Sequence, residues 1–418
     1  MARWTLQSRS RGTSAAGAVL EAEPVETAAA DDAVASVDAV TVADVIERAD
    51  DVIERASVEV VVEVDAATAH DSEPADAETA AAESAIADVP APSGTDERLV
   101  VIETNAYSGP ILVPAPQPMG DTGITTHPLV LGGSVFGWTL GPDDSERVLD
   151  RFAAQGGTML DTADSYAAGR SETIIGRWMA ARAIRDRMAV ATKVGRHPDH
   201  PGLSPESIRG AVDDSLQRLR TDRIDLLYLH GEDPDVPLAE TLGALGALID
   251  AGKVLAVGAS DFSPERLIEA RVLAANGLPR LAALTTRYNL MDRSPYEGST
   301  ELVAHAQGLS VLPYFALANG FLAGRVRRRA EVPHDARGAR LARHLGRRGS
   351  RVLAALDDVA FRRGVEPATI AIAWLQAKTT IVAPVAGVSE PEQVDALMAA
   401  ASIRLFRSEL VELDRASA

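Results

Sequence analysis

Three apolar runs in the middle of the chain end on side chains that handle protons: Asp161 near the end of Thr158–Thr162, Lys193 closing Met188–Lys193, and His230 closing Ile224–His230. Tyr166 follows five residues after Asp161. Each has an ordinary explanation on its own, as a helix cap, a solvated lysine, a satisfied histidine or a rim aromatic. Together they describe an acid. A charge ending a buried strand is costly unless it is paired or used. A phenol titrates at about 10, so it gives up its proton at neutral pH only where a nearby cation stabilises the phenolate. Lys193 supplies such a cation, Asp161 holds it protonated and in place, and His230 hydrogen-bonds a substrate oxygen or shares the proton. The device protonates a developing alkoxide. Hydride addition to a carbonyl is the reaction that makes one, and with no metal site visible in the sequence the hydride is expected from an organic cofactor.

Such residues need a scaffold that brings strand ends together. From residue 115 onward, short apolar runs alternate with amphipathic stretches. Eight runs read as strands buried on both faces: Leu129–Leu131, Thr158–Thr162, Met188–Lys193, Ile224–His230, Val254–Ser260, Leu281–Tyr288, Ser310–Leu317 and Thr380–Ala386. Helices are expected over 144–155, 171–183, 238–250, 264–275, 301–307, 351–363, 367–377 and 390–401, and from Ser204 and Pro205 through Leu219. Eight β-then-α units predict an α/β fold of the (β/α)8, or TIM-barrel, type, in which reactive residues collect where strands end. The alternative is a doubly wound sheet. Against it, Gly132, Gly133 and Gly137 do not make a GxGxxG after the first strand.

The rest of the chain differs in composition. The formal net charge is −19, and residues 1–100 hold 22 acidic residues against 6 arginines. Residues 1–114 read as an acidic, Ala-rich, low-complexity tail, mostly disordered, because little bulky apolar surface is present to offset lost chain entropy. The near-repeat at Ala43 and Asp50 is expected to form a transient helix, and residues 99–114 a short extended segment. Acidity argues against a nucleic-acid partner. No apolar run is long enough to span a bilayer, cysteine is absent, and the default expectation is a cytoplasmic protein. A partner for the tail is not legible.

Residues 115–418 resemble the aldo-keto reductases. The motifs that carry the likeness are Gly120–Ile124, Leu131–Trp138, Asp161–Tyr166, Gly169–Glu172, Thr192–Gly195, Ile224–His230, Gly252–Ser260, Arg287–Leu290 and Val385–Gln393. The resemblance implies a catalytic tetrad of Asp161, Tyr166, Lys193 and His230, a small carbonyl substrate, and a nicotinamide cofactor, NADP(H) by preference with NAD(H) as the other option. By position it places Ser260 and Asp261 on the nicotinamide carboxamide, with Thr285 near them, and Tyr314 against the nicotinamide ring. Leu317, Gly320, Leu322, Gly324 and Arg325 would follow the pyrophosphate, and Gly387, Ser389, Glu392 and Gln393 the adenosine end. Phe136 and Trp138 would wall the substrate pocket, and the Arg-rich stretch to Arg351 would fold over the phosphates or lie in solvent. The sequence departs from the family at Asp261, Thr285, Phe315 and Leu397. Those departures leave open a barrel that binds dinucleotide as a sensor or assembly partner, and a third reading makes the tail the working module.

Overall fold

The computed structural model describes residues 116–334 and 336–418. The expectations for the acidic tail, its repeat and the 99–114 segment lie outside the described residues. Eight strands form one parallel sheet: β1 (Val130–Gly132), β2 (Met159–Asp161), β3 (Ala189–Val194), β4 (Ile224–Leu229), β5 (Val254–Ser260), β6 (Ala283–Thr285), β7 (Ser310–Val311) and β8 (Val385–Ala386). Their order runs from β7 through β6, β5, β4, β3, β2 and β1 to β8. The remaining seam is closed by a parallel bridge between Val311 and Ile381, with Val382 N donating to Val311 O at 3.0 Å and Val385 N to Pro313 O at 2.8 Å. The sheet is therefore a (β/α)8 barrel.

Two apolar layers hold it. Inside, Val130, Met159, Ala191, Leu226, Ala256 and Leu312 pack with Met119 and Ile124. The latter pair lie inside a hairpin, between its strands Gln117–Pro118 and Thr125–Thr126, and because Val130 and Met159 open their strands, the hairpin stops the amino-terminal end of the barrel. Outside, alternate strand residues meet the helices α1 (Pro142–Ala154), α2 (Arg170–Arg182), α3 (Pro205–Leu219), α4 (Leu238–Asp250), α5 (Pro264–Ala275) and α6 (Ser299–Gln307). Proline at the first turn and a serine cap start two of these: Ser204 Oγ accepts from Ser207 N at 3.2 Å, and Ser263 Oγ from Arg266 N at 3.3 Å.

After β7 the chain forms α7 (Ala336–Ala342), α8 (Arg347–Arg363) and α9 (Pro367–Gln376), and after β8 come α10 (Gln393–Met398) and α11 (Arg407–Ser417). Neither α7 nor α11 is anticipated by the sequence reading, nor is the hairpin of Arg196–His197 with His200–Pro201. Predicted runs on β6, β7 and β8 extend past the paired ladder, because that wall continues as single bridges such as Arg287 with Tyr314.

Candidate active site

The carboxyl ends of β2, β3 and β4 lie side by side, with Asp161 paired to Ala191 and Lys193 to Tyr228. Adjacent ends make adjacent side chains. Lys193 Nζ donates to Asp161 Oδ1 at 2.6 Å and to the Thr162 carbonyl at 2.8 Å, and it stands 5.0 Å from the centre of the Tyr166 ring. His230 meets that ring edge-on, the ring centres 6.1 Å apart. Strand β3 is clamped from behind by Glu172 on α2, a fully buried carboxylate that accepts from Thr192 Oγ1 at 2.5 Å and from Arg218 Nε at 2.7 Å.

The electrostatics separate the roles. Burial disfavours the Lys193 ammonium, but the Asp161 carboxylate and Tyr166 outweigh it, and its pKa lies above the usual value. Burial pushes Tyr166 up, opposed by the Lys193 charge, so the phenol is protonated at rest while its phenolate has a cation beside it. Burial, then the charges of Lys193 and Arg196, take His230 down to about 3, so its imidazole is neutral at physiological pH. His230 Nδ1 is buried without a hydrogen-bond partner, a polar atom with capacity for a ligand.

These residues sit in a cavity of about 1470 Å3 that also takes in the loops after β1, β5, β7 and β8. Of the expected cofactor residues, Ser260, Asp261, Tyr314, Leu317, Gly320, Arg325, Gly387, Ser389, Glu392 and Gln393 line it, as does Trp138. Asp261, in a left-handed conformation that Asp and Asn tolerate, accepts from the Tyr314 hydroxyl at 2.8 Å. A Cβ on Gly387 would stand 2.9 Å from the Gly132 carbonyl oxygen, so glycine there lets the chain leaving β8 pack closely against the end of β1 at the cavity wall.

Four expected residues lie elsewhere. Thr285 is fully buried and donates to the Leu312 carbonyl at 2.7 Å, holding β6 to β7. Phe136 and Leu322 are fully buried in the outer core, and Gly324 caps the 3-10 segment Ala318–Ala323. In return the cavity gains Ser134, Arg151, Arg196 and Asp395, which are not among the residues expected from sequence. Arg151 and Asp395 lie on different helices with nothing local to mark them. Arg196, three residues past Lys193 in a strand-end loop, carried a positional signal.

Asp164, in the turn between Asp161 and Tyr166, is fully buried, and neither carboxylate oxygen has a hydrogen-bond partner of normal geometry. Burial and the neighbouring Glu172 charge raise it to about 6. A carboxyl with a folded pKa above its unfolded value stabilises fully below the unfolded value, and that contribution is lost as pH rises through about 6. Asp164→Asn is therefore expected to stabilise the protein at pH 7 by on the order of 2 kcal/mol, with the gain fading towards pH 4. Urea denaturation at the two pH values checks this; an equal gain at both removes the carboxylate as its cause.

A closed β/α barrel with this tyrosine, lysine, aspartate and histidine at the carboxyl ends of neighbouring strands is an oxidoreductase scaffold. A family profile described as the aldo/keto reductase family matches residues 128–418, and the chain belongs to that family, whose members generally use NAD(P)H. It is 32% identical over 329 residues to norsolorinic acid reductase stcV of Emericella nidulans, covering 72% of this chain and 83% of that one. It is 29% identical over 323 residues to protein tas of Escherichia coli, covering 68% and 92%. An aryl-alcohol dehydrogenase of Pestalotiopsis microspora, GME11368, is 31% identical over 310 residues, covering 70% and 79%. Among the described residues no helix is long and apolar enough to cross a membrane.

Proposed function

We propose that this chain reduces an aldehyde or ketone to an alcohol, with Tyr166 as the proton donor and a reduced nicotinamide dinucleotide as the hydride source. The observation that carries the reading is the Lys193 ammonium held at 2.6 Å by Asp161 and facing the Tyr166 ring. A protein that only bound dinucleotide would have no physical need for a buried cation behind a phenol. The residues present fit such a cofactor: one cavity takes in both Tyr166 and Gln393, and Ser260 and Asp261 line it together with the tetrad.

When bound, the reduced nicotinamide supplies the hydride. Everything else falls to the side chains. The substrate carbonyl oxygen sits between Tyr166 and neutral His230, which hydrogen-bonds it. As the carbonyl carbon gains the hydride, the Tyr166 O–H bond breaks and its proton goes to the new alkoxide, leaving a phenolate that Lys193 stabilises until solvent returns a proton. Names among the relatives, norsolorinic acid reductase and aryl-alcohol dehydrogenase, favour an aromatic carbonyl or alcohol as the substrate class, and exposed Trp138 on the cavity wall suits one. The test is to mix the full chain with NADH or NADPH and 4-nitrobenzaldehyde and follow loss of reduced nicotinamide absorbance. Steady consumption with 4-nitrobenzyl alcohol as product is expected; dinucleotide binding without consumption would favour the sensor reading.

Asp261 tests the same pose. Its carboxylate can only accept hydrogen bonds and is occupied by the Tyr314 hydroxyl. Asp261→Asn keeps the left-handed backbone and adds an N–H donor for the carboxamide oxygen. One net hydrogen bond is worth about 1 kcal/mol, so dinucleotide affinity is expected to rise by roughly fivefold, as read by fluorescence titration. An unchanged or weaker affinity places the carboxamide away from Asp261.

A further inference from the structure

The catalytic tetrad fixes one end of the cleft for the nicotinamide, so the other end must take the adenosine half. That far end is built by the loop after β8, helix α10, Arg151 from α1 and Glu366 from the turn before α9. NAD(H) and NADP(H) differ there by one group, the phosphate on the 2′-oxygen of the adenosine ribose. Such a phosphate ester adds a charge of about −1.5 to −2. Holding it calls for guanidinium or ammonium groups with N–H bonds to spare, whereas a bare 2′-hydroxyl is matched by a carboxylate that accepts its hydrogen bond.

Two guanidinium groups line this end, and both are already engaged. Arg151 forks onto Asp395, Nε to Oδ1 at 2.7 Å and Nη2 to Oδ2 at 2.5 Å, and Gln155 donates to the same carboxylate. Arg325 Nη1 lies 3.4 Å from Glu390 Oε2, which also accepts from Gln393 Nε2 at 2.9 Å. Glu366 and Glu392 bring the carboxylates to four against two cations. Among the described residues of the arginine-rich stretch after Arg325, the one arginine that lines the cavity is Arg340. Arg327 is held by Asp357 at 2.7 and 2.8 Å, Arg328 pairs with Glu331 at 2.6 Å, and Arg340 lies over the Trp138 ring.

We infer that the far end of the cleft selects NAD(H) over NADP(H), with Glu390 and Asp395 as the discriminating residues. The inference rests on the dinucleotide-dependent reading above and runs against the cofactor preference that the family resemblance alone implies. A 2′-phosphate entering here would compete with Asp395 and Glu390 for these two guanidinium groups and would stand among carboxylates that outnumber them. A 2′-hydroxyl disturbs neither pair and can donate to a carboxylate oxygen.

Binding, independent of turnover, decides the matter. The full chain is titrated with NADH and with NADPH by intrinsic fluorescence or calorimetry, and separately with 5′-AMP and adenosine 2′,5′-bisphosphate. NADH is expected to bind at least about tenfold more tightly than NADPH, and 5′-AMP more tightly than the bisphosphate, the difference one well-placed charge contact makes. Glu390→Gln and Asp395→Asn each free one arginine and should move the NADH-to-NADPH affinity ratio towards NADPH by about tenfold. NADPH binding as tightly as NADH, or more so, overturns the inference; if carbonyl reduction proceeds, the reductase reading survives that result. Failure of both dinucleotides to bind overturns the inference and that reading together. Should a variant misfold, the wild-type ratio and the pair of adenosine nucleotides still give the answer.

Discussion

Tyr166→Phe is expected to lower kcat for carbonyl reduction by about 10²- to 10⁴-fold, the range that a positioned general acid contributes. The substitution removes one oxygen and leaves the ring, so the edge-on contact with His230 and the packing above Lys193 persist. In the proposed reaction the Tyr166 proton has no substitute nearby. His230, held down at about 3 by burial and by the charges of Lys193 and Arg196, carries no extra proton at neutral pH. Lys193 is committed to Asp161 and the Thr162 carbonyl. Affinity for the dinucleotide should change little, because the cavity walls that would hold it lie on other loops. Single-turnover kinetics alongside a binding titration separate the two quantities. A variant that keeps wild-type turnover would show that the proton comes from elsewhere, with water or His230 as the remaining candidates.

The same residues explain what the sequence could and could not tell. A strand buried on both faces reads as an uninterrupted apolar run, so Ile224–Leu229 and Val254–Ser260 are visible without any alternation, and a polar residue at the end of such a run is conspicuous. That is why Lys193 and His230 could be picked out. What the run hides is direction. In a strand with apolar surroundings on both sides, nothing tells whether a side chain faces the barrel axis or the helices. Thr285 is accordingly found in the barrel wall; Phe136, in the loop after β1, turns into the outer core for a reason its local sequence does not carry. Helix α11 escaped notice because its start is marked only by Glu409 reaching back to the Phe406 amide at 2.7 Å. The Arg151 and Asp395 pair joins residues 244 apart in sequence on the exposed sides of two helices, where each reads as an ordinary solvated charge. Pairs of that kind exist only in three dimensions, and here they line the site.

Lys193→Met should damage both catalysis and the fold. In catalysis it removes the cation beside the phenolate. With no cation to stabilise its conjugate base, Tyr166, already pushed up by burial, becomes a still poorer donor. In the fold it leaves Asp161, 4% exposed, as a buried carboxylate without its counter-charge. Breaking a buried ion pair from one side costs about 3–5 kcal/mol. Burial already raises Asp161, and the Lys193 charge is what opposes that rise. Without it the carboxyl pKa climbs further, so the loss of stability is expected in full at neutral pH and shrinks as the solution is acidified and Asp161 takes a proton. Urea denaturation of the variant at neutral and acid pH reads the two limits. Adding Asp161→Asn to Lys193→Met replaces the stranded charge with a neutral amide. The double variant should recover most of the stability at neutral pH while turnover stays at the level of Lys193→Met alone. Restored turnover in the double variant would mean that the lysine serves only to hold Asp161 folded, and the proton-donor role assigned to Tyr166 would lose its physical basis.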